Sequence, residues 1–301
     1  MKHLVRIVFG STLAVATAAC GGSVVSEGEN SGSDAGGSSS YSSSGDGACS
    51  LTANTTAASA PNEDGCAILS RDTSACADAR RAAGLDGVWL DISCRVTLSV
   101  DSGIVTARTD GSPDYRSFYF NDTDACYEAY SGSQRNPNRI KTHDLAIRIP
   151  LSPSGAAQTM HGSAVVGIAI NGVAIFGNFA APQDDIFNEA LTFDRCAGHP
   201  QQTGMYHYHS EPTSITQDDA NLVGIMRDGV PVYGRKDADG TYPTLDEDGG
   251  HTGVTPHSPT TPVYHYHVNE QTSTGSRTAG QKQWFITTGR FHYAPATCSG
   301  C

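Results

Sequence analysis

Val166-Gly167-Ile168-Ala169-Ile170-Asn171-Gly172-Val173-Ala174-Ile175-Phe176-Gly177 aligns without a gap to Val223-Gly224-Ile225-Met226-Arg227-Asp228-Gly229-Val230-Pro231-Val232-Tyr233-Gly234. All three glycines coincide. In each stretch, two runs of apolar and β-branched residues flank an Asn-Gly or Asp-Gly pair. Such runs favour strands. The dipeptide between them signals a two-residue hairpin turn, in which both turn residues take positive φ. The sequence therefore predicts the same β-hairpin twice.

The likeness continues downstream. Thr192-Phe193-Asp194-Arg195-Cys196-Ala197-Gly198-His199 matches Thr244-Leu245-Asp246-Glu247-Asp248-Gly249-Gly250-His251. After loops of different length, Tyr206-His207-Tyr208-His209 matches Tyr264-His265-Tyr266-His267. The simplest origin is duplication of one unit, about 165–210 and 222–268, made of hairpin, Gly-His loop and His-bearing strand.

Elsewhere Gly and Pro punctuate the chain closely, and Val88–Ser99, Gly103–Arg108 and Leu145–Leu151 read as strands. One short helix is expected near 73–83, capped by Thr73 or Ser74 and ended by Gly84. The predicted fold class is mainly β, a β-rich domain with long ordered loops.

The N-terminus reads as an export signal. Lys2 and Arg6 precede a short apolar run that ends at Ala19, which fits a signal peptide over 1–19 and is too short to span a bilayer. Cys20 stands where a lipoprotein signal is cut and lipidated, although Thr17 occupies the usual Leu position; simple secretion is the alternative. The Ser/Gly-rich stretch 20–48 lacks apolar periodicity and reads as a disordered tether to a membrane. Residues 49–93 form a Cys-rich extension, and 94–301 the main domain. Net charge is −12, and −14 without Lys2 and Arg6. That balance argues against nucleic acid as a partner.

Nine cysteines include Cys20. The remaining Cys49, Cys66, Cys76, Cys94, Cys126, Cys196, Cys298 and Cys301 are an even set, and in an exported chain they read as structural disulfides. No thioredoxin-like βαβ pattern surrounds the Cys-Ser-Gly-Cys end to make it a redox pair.

The paired Tyr-His-Tyr-His motifs, Asp228–Gly234 and Leu245–His251 together resemble the YHYH-domain family. Thr109–Tyr115 and Asn136-Pro137-Asn138 resemble its N-terminal signature. The family often carries His where Tyr115 stands and Cys where Asp248 stands. The resemblance, from about Cys94 onward, implies a domain type and brings no activity with it.

Residues i and i+2 of a strand share a face. Both histidines of each motif therefore point one way and both tyrosines the other. His199 and His251 follow glycine in loops. Each unit thus offers three imidazoles, His199, His207 and His209 or His251, His265 and His267, enough for a three-His centre. Imidazole ligands and few methionines point to copper or zinc. Asp194 and Asp246, each five residues before a Gly-His histidine, are candidates to orient a ligand ring or act as a base; the alternative is an Asx-turn. Three functions follow: capture of a divalent metal, a metal-dependent hydrolase or copper oxidase on the same histidines, or a structural domain in which Tyr and His only pack. No nucleophile elbow, phosphate-binding glycine loop or His-Glu-x-x-His helix is present. Paired duplicated units further suggest that the two His pairs face one cavity, with His199 and His251 at its mouth. The alternative is two separate three-His centres.

Overall fold

The computed structural model describes residues 48–130, 132, 134–160, 165–180 and 185–297. The expected signal peptide, Cys20, the tether up to residue 47, Cys298 and Cys301 lie outside these residues.

The protein is mainly β, with several sheets and only short helices. Strands β1 (Thr55–Ala57) and β2 (Leu69–Arg71) pair ahead of helix α1 (Ser74–Ala82). Strands β3 (Thr97–Asp101), β4 (Ile104–Thr109) and β5 (Leu145–Pro150) form an antiparallel sheet. After β6 (Gln158–Thr159), the first matched stretch supplies β7 (Val165–Ala169), β8 (Ala174–Phe176), helix α2 (Ile186–Glu189), β9 (Gly198–Pro200) and β10 (Tyr206–Tyr208). The second supplies β11 (Leu222–Met226), β12 (Pro231–Tyr233), β13 (Gly250–Thr255) and β14 (Ser258–His267). Strands β15 (Asn269–Thr272) and β16 (Lys282–Phe285) pair with each other, and β17 (Arg290–Phe291) pairs with β6.

The matched stretches build one eight-stranded sheet in the order β13-β14-β12-β11-β7-β8-β10-β9. Read from the middle outward, each half has the same order. At the centre β7 and β11 run antiparallel, and Ile168 pairs with Ile225, its counterpart in the alignment. Gly167 faces Met226 and Ala169 faces Gly224. This pairing maps onto itself when the stretches are exchanged, as a local two-fold through that pair requires.

The matched glycines have distinct duties. A Cβ on Gly224 would sit 2.1 Å from the Ile168 carbonyl oxygen, and one on Gly167 2.9 Å from that of Ile225. The central strands approach too closely for any side chain there. Gly172 and Gly229 take φ of +92° and +89° in the hairpin turns. Asn171 and Asp228 do not take positive φ, so the predicted turn with two such residues is corrected. The Gly172 N–H bonds the Ala169 carbonyl, and Gly229 repeats this with Met226. A turn closed this way leaves only its last residue left-handed, the three-residue loop with a glycine bulge. The Asn171 and Asp228 side chains are buried and turned inward.

Both faces of the large sheet are covered, which explains why β7 and β11 are buried at every residue and read as continuous apolar runs. On one face Val165, Ile168, Ala174, Phe176 and Ile225 meet Val105, Ala107, Ile147 and Ile149 of the three-stranded sheet. On the other, Val166, Ile175, Val223 and Val232 pack with the motif tyrosines.

Helix α1 lies where expected, and Gly84 follows it at φ +80°. The strand expected over Val88–Ser99 begins only at Thr97. The buried Arg80 guanidinium instead donates to the carbonyls of Ile92, Ser93 and Val96, so these oxygens need no strand partner. Disulfides join Cys49–Cys126, Cys66–Cys196 and Cys76–Cys94. The first two stitch the N-terminal extension onto the loops around the large sheet.

Gly224→Ala tests the central packing. It should cost about 1–3 kcal/mol of stability, as overpacking does, seen as a lower urea midpoint in a chain that keeps its disulfides.

Candidate metal centres

Strand alternation sends the motif tyrosines into the core and the histidines to the other face. Tyr206 donates to Asp194 Oδ2 at 2.6 Å, and the Tyr115 hydroxyl lies 2.8 Å from those of both Tyr206 and Tyr208. Asn171 Nδ2 donates to Tyr208 at 3.0 Å. The second half repeats the plan: Tyr264 donates to Asp246 at 3.0 Å, and Tyr266 to Asp228 at 2.6 Å. Burial pushes Tyr206 and Tyr115 well above the usual phenol range, so both keep their protons.

These contacts fit the Asx-turn alternative for Asp194 and Asp246. Asp194 Oδ1 accepts the backbone N–H groups of Cys196 and Gly198, and Asp246 Oδ1 those of Asp248 and Gly250. Both shape the loop before a Gly-His histidine and anchor the first motif tyrosine. Neither has a hydrogen bond to a motif imidazole, because both lie on the tyrosine side of the strand.

On the histidine side of the first half, His207 Nδ1 lies 3.1 Å from the Met205 carbonyl and His209 Nδ1 2.5 Å from that of Gly177. His199 Nδ1 lies 3.0 Å from Thr192 Oγ1, which gives its own proton to the Glu189 carbonyl. A carbonyl can only accept, so the ring proton of His207 and of His209 is at Nδ1. Both Nε2 atoms then present lone pairs, and they stand 3.0 Å apart. His199 Nε2 is buried without a hydrogen-bond partner. The three rings offer nitrogens within 4.8 Å of one another. Burial pushes His199 and His207 well below the usual imidazole range and His209 down to about 4. His207 and His209 thus aim lone pairs inward beside the buried Nε2 of His199, a donor set that could hold a metal ion.

The second half carries the same construction. His265 Nδ1 faces the Val263 carbonyl at 2.9 Å, and His267 Nδ1 that of Gly234 at 2.7 Å. Gly177 and Gly234 are the third matched glycine pair. His251 Nε2 lies 3.1 Å from His265 Nε2. Asp237 Oδ1 joins them, 3.0, 3.3 and 3.4 Å from the Nε2 atoms of His251, His265 and His267. Burial lowers His265, and His267 to about 4. Three ring nitrogens and a carboxylate oxygen thus converge, a donor set that could hold a metal ion.

A tetrahedral ion with donors at about 2.0–2.1 Å separates those donors by about 3.3 Å. The spacings around Asp237 match that figure.

The halves differ in their carboxylate. Glu189, at the end of α2, places Oε2 3.6 Å from His209 Nε2 and 3.9 Å from His199 Nε2. It stands farther off than Asp237 does. His199, His207, His209 and Glu189 also line a pocket of about 750 Å³. Asn136 and Asn138 brace its wall by donating to the Pro200 carbonyl.

The six expected ligands therefore fall into two groups, and the shared cavity is excluded. Strands β8, β7, β11 and β12 lie between β10 and β14. At about 4.8 Å per strand, the His pairs are about 24 Å apart along the sheet. Sequence comparison missed Asp237, in the loop after β12, and Glu189, at the end of α2, because they lie in segments of unequal length and have no aligned position. Two late histidines stand elsewhere: His257 bonds Tyr233 and Asp91, and His292 stacks on Tyr264 and bonds Asp248. Asp248, where the resembled family often has Cys, also pairs with Arg290 at 2.6 Å.

The buried histidines set the acid stability of the metal-free protein. Their folded pKa lies below the unfolded value of about 6.5, so the unfolded chain binds more protons as pH falls. Stability should be full above about pH 6.5 and decline as pH drops toward 4, followed by urea unfolding of chelator-treated protein. A flat midpoint across that window would contradict neutral buried rings.

Comparison with curated proteins and with solved structures returns no match. One family model, described as YHYH protein, matches residues 146–241. That range covers the first Tyr-His-Tyr-His motif and both hairpins, and on it the chain carries a YHYH-family domain.

Proposed function

We propose that this protein is an exported metal-binding domain holding two divalent ions, one in each histidine cluster. The observation that carries the reading is the convergence of ring nitrogens in each cluster, with the four motif rings fixed by Nδ1 bonds to main-chain carbonyls. Metal-ligating imidazoles are oriented in this way, whereas rings that merely pack would turn their acceptors toward donors. Zinc fits better than copper. Asp237 Oδ1 is nearly equidistant from three nitrogens, which suits a tetrahedral ion and not the square-planar preference of Cu(II). The repeated architecture supports duplication of one metal-binding unit.

Three disulfides among the described residues support an oxidising compartment. With the lipobox-like Cys20 and the polar tether, they support attachment to a membrane surface through lipid. Among the described residues no helix is long and apolar enough to cross a bilayer.

Elemental analysis of untagged protein from a periplasm should find two zinc ions per chain. His207→Ala and His265→Ala should each remove one. Absence of bound metal, with no uptake of added zinc or copper, would overturn the reading. Copper in place of zinc would keep the centres and change the ion.

Cys20→Ser should move the protein from the detergent phase to the aqueous phase on partitioning. A wild type already in the aqueous phase would leave simple secretion.

A further inference from the structure

The two clusters differ in the place of their carboxylate. Asp237 Oδ1 is within 3.4 Å of all three nitrogens of its cluster and completes a four-donor shell. Glu189 Oε2 is 3.6 and 3.9 Å from two nitrogens of the other, beside the position where a fourth donor would stand. A closed four-ligand shell is the mark of a structural zinc site; three protein ligands with an open position mark a catalytic one. Among the described residues the first cluster has no fourth donor as close as Asp237 is to the second, and its three histidines line the 750 Å³ pocket, large enough for a small organic substrate.

We infer that the His199–His207–His209 cluster is a hydrolytic centre, with Glu189 as its general base, acting on an ester or amide of a neutral polar substrate. This rests on the metal-binding reading above. A zinc ion there supplies a water of lowered pKa. Glu189 would take one proton of such a water while the water's oxygen bonds to the carbonyl carbon. The carbon–oxygen or carbon–nitrogen bond to the leaving group then breaks, and Glu189 returns the proton to the departing atom. Water is consumed and no oxidant or reductant is needed.

The lining indicates the substrate class. Gln134, Asn188 and Gln202 contribute carboxamides, which hydrogen-bond neutral hydroxyl, carbonyl and amide groups, while those of Asn136 and Asn138 bond the Pro200 carbonyl and that of Gln201 bonds Thr203. Among the described residues of the lining Arg135 is the one Lys or Arg, and Glu189 is acidic. That balance disfavours a phosphate ester, whose charge calls for several cations. Phe179 and Leu191 add an apolar surface.

Acetohydroxamate, which chelates zinc through an open position and mimics an acyl group, is the binding probe. p-Nitrophenyl acetate is the kinetic one. Zinc-loaded wild type should bind one acetohydroxamate per chain despite holding two ions, as read by calorimetry. It should also hydrolyse the ester in a manner abolished by dipicolinate and restored by zinc. Glu189→Gln should keep both ions and the hydroxamate stoichiometry while losing at least about 100-fold in rate. His207→Ala should keep one ion, which shows that the chain is folded, and lose both hydroxamate binding and hydrolysis. Two bound ions without hydroxamate binding or metal-dependent hydrolysis would overturn the hydrolytic centre and leave the metal reading standing. Full activity in Glu189→Gln would overturn the base. A chain that binds no metal would overturn both readings.

Discussion

The structure depends on the hydrogen bonds that tie ring Nδ1 atoms of the motif histidines to main-chain carbonyls. A ring held at one nitrogen cannot swivel, and its other nitrogen has one direction. In each half the carbonyl two residues upstream holds the first motif histidine, and a glycine carbonyl at the end of the hairpin holds the second. The hairpin is thus more than a support. Strand β8 lies parallel to β10, and β12 to β14, so the hairpin's last glycine ends beside the motif and fixes the ring.

The tyrosines serve the same end from the other face. A His-bearing strand can hold its rings to a few tenths of an ångström only if it cannot twist or slide. Tyr206 and Tyr208, locked through Tyr115, Asp194 and Asn171, pin β10 from beneath, and Tyr264 and Tyr266 pin β14 through Asp246 and Asp228. Losing one hydroxyl would leave a buried carboxylate short of a donor, at a cost of about 1–3 kcal/mol. The Tyr-His-Tyr-His alternation therefore divides the work: one face secures the strand, the other aims the rings.

The central Ile168–Ile225 pair explains why the halves remain separate. A two-fold through β7 and β11 places the equivalent outer strands at opposite ends of the sheet, not side by side. Two separate sites can diverge. One cluster is joined by an aspartate from the loop after β12, and the other is flanked by a glutamate on α2, set back beside a pocket. The aligned scaffold keeps the rings in place while the unequal loops change what surrounds them.

The sequence by itself determined the local geometry. Matched glycines marked the hairpins, the period of two assigned Tyr and His to opposite faces, and the Gly-His pairs supplied the third ring, because these features depend on residues close in the chain. Even there, the turn type and the strand over Val88–Ser99 were misread: the first depended on side chains turned inward, the second on Arg80 capping carbonyls from another element. Only the tertiary structure decided that the His pairs stand apart, since strand order is set by which edges meet and not by what each strand contains. It also decided which carboxylates accompany the rings. Asp194 and Asp246 held matched positions but lay on the tyrosine side. Asp237 and Glu189, hidden in unaligned segments, stand beside the nitrogens because the folded chain carries those segments over the histidine face.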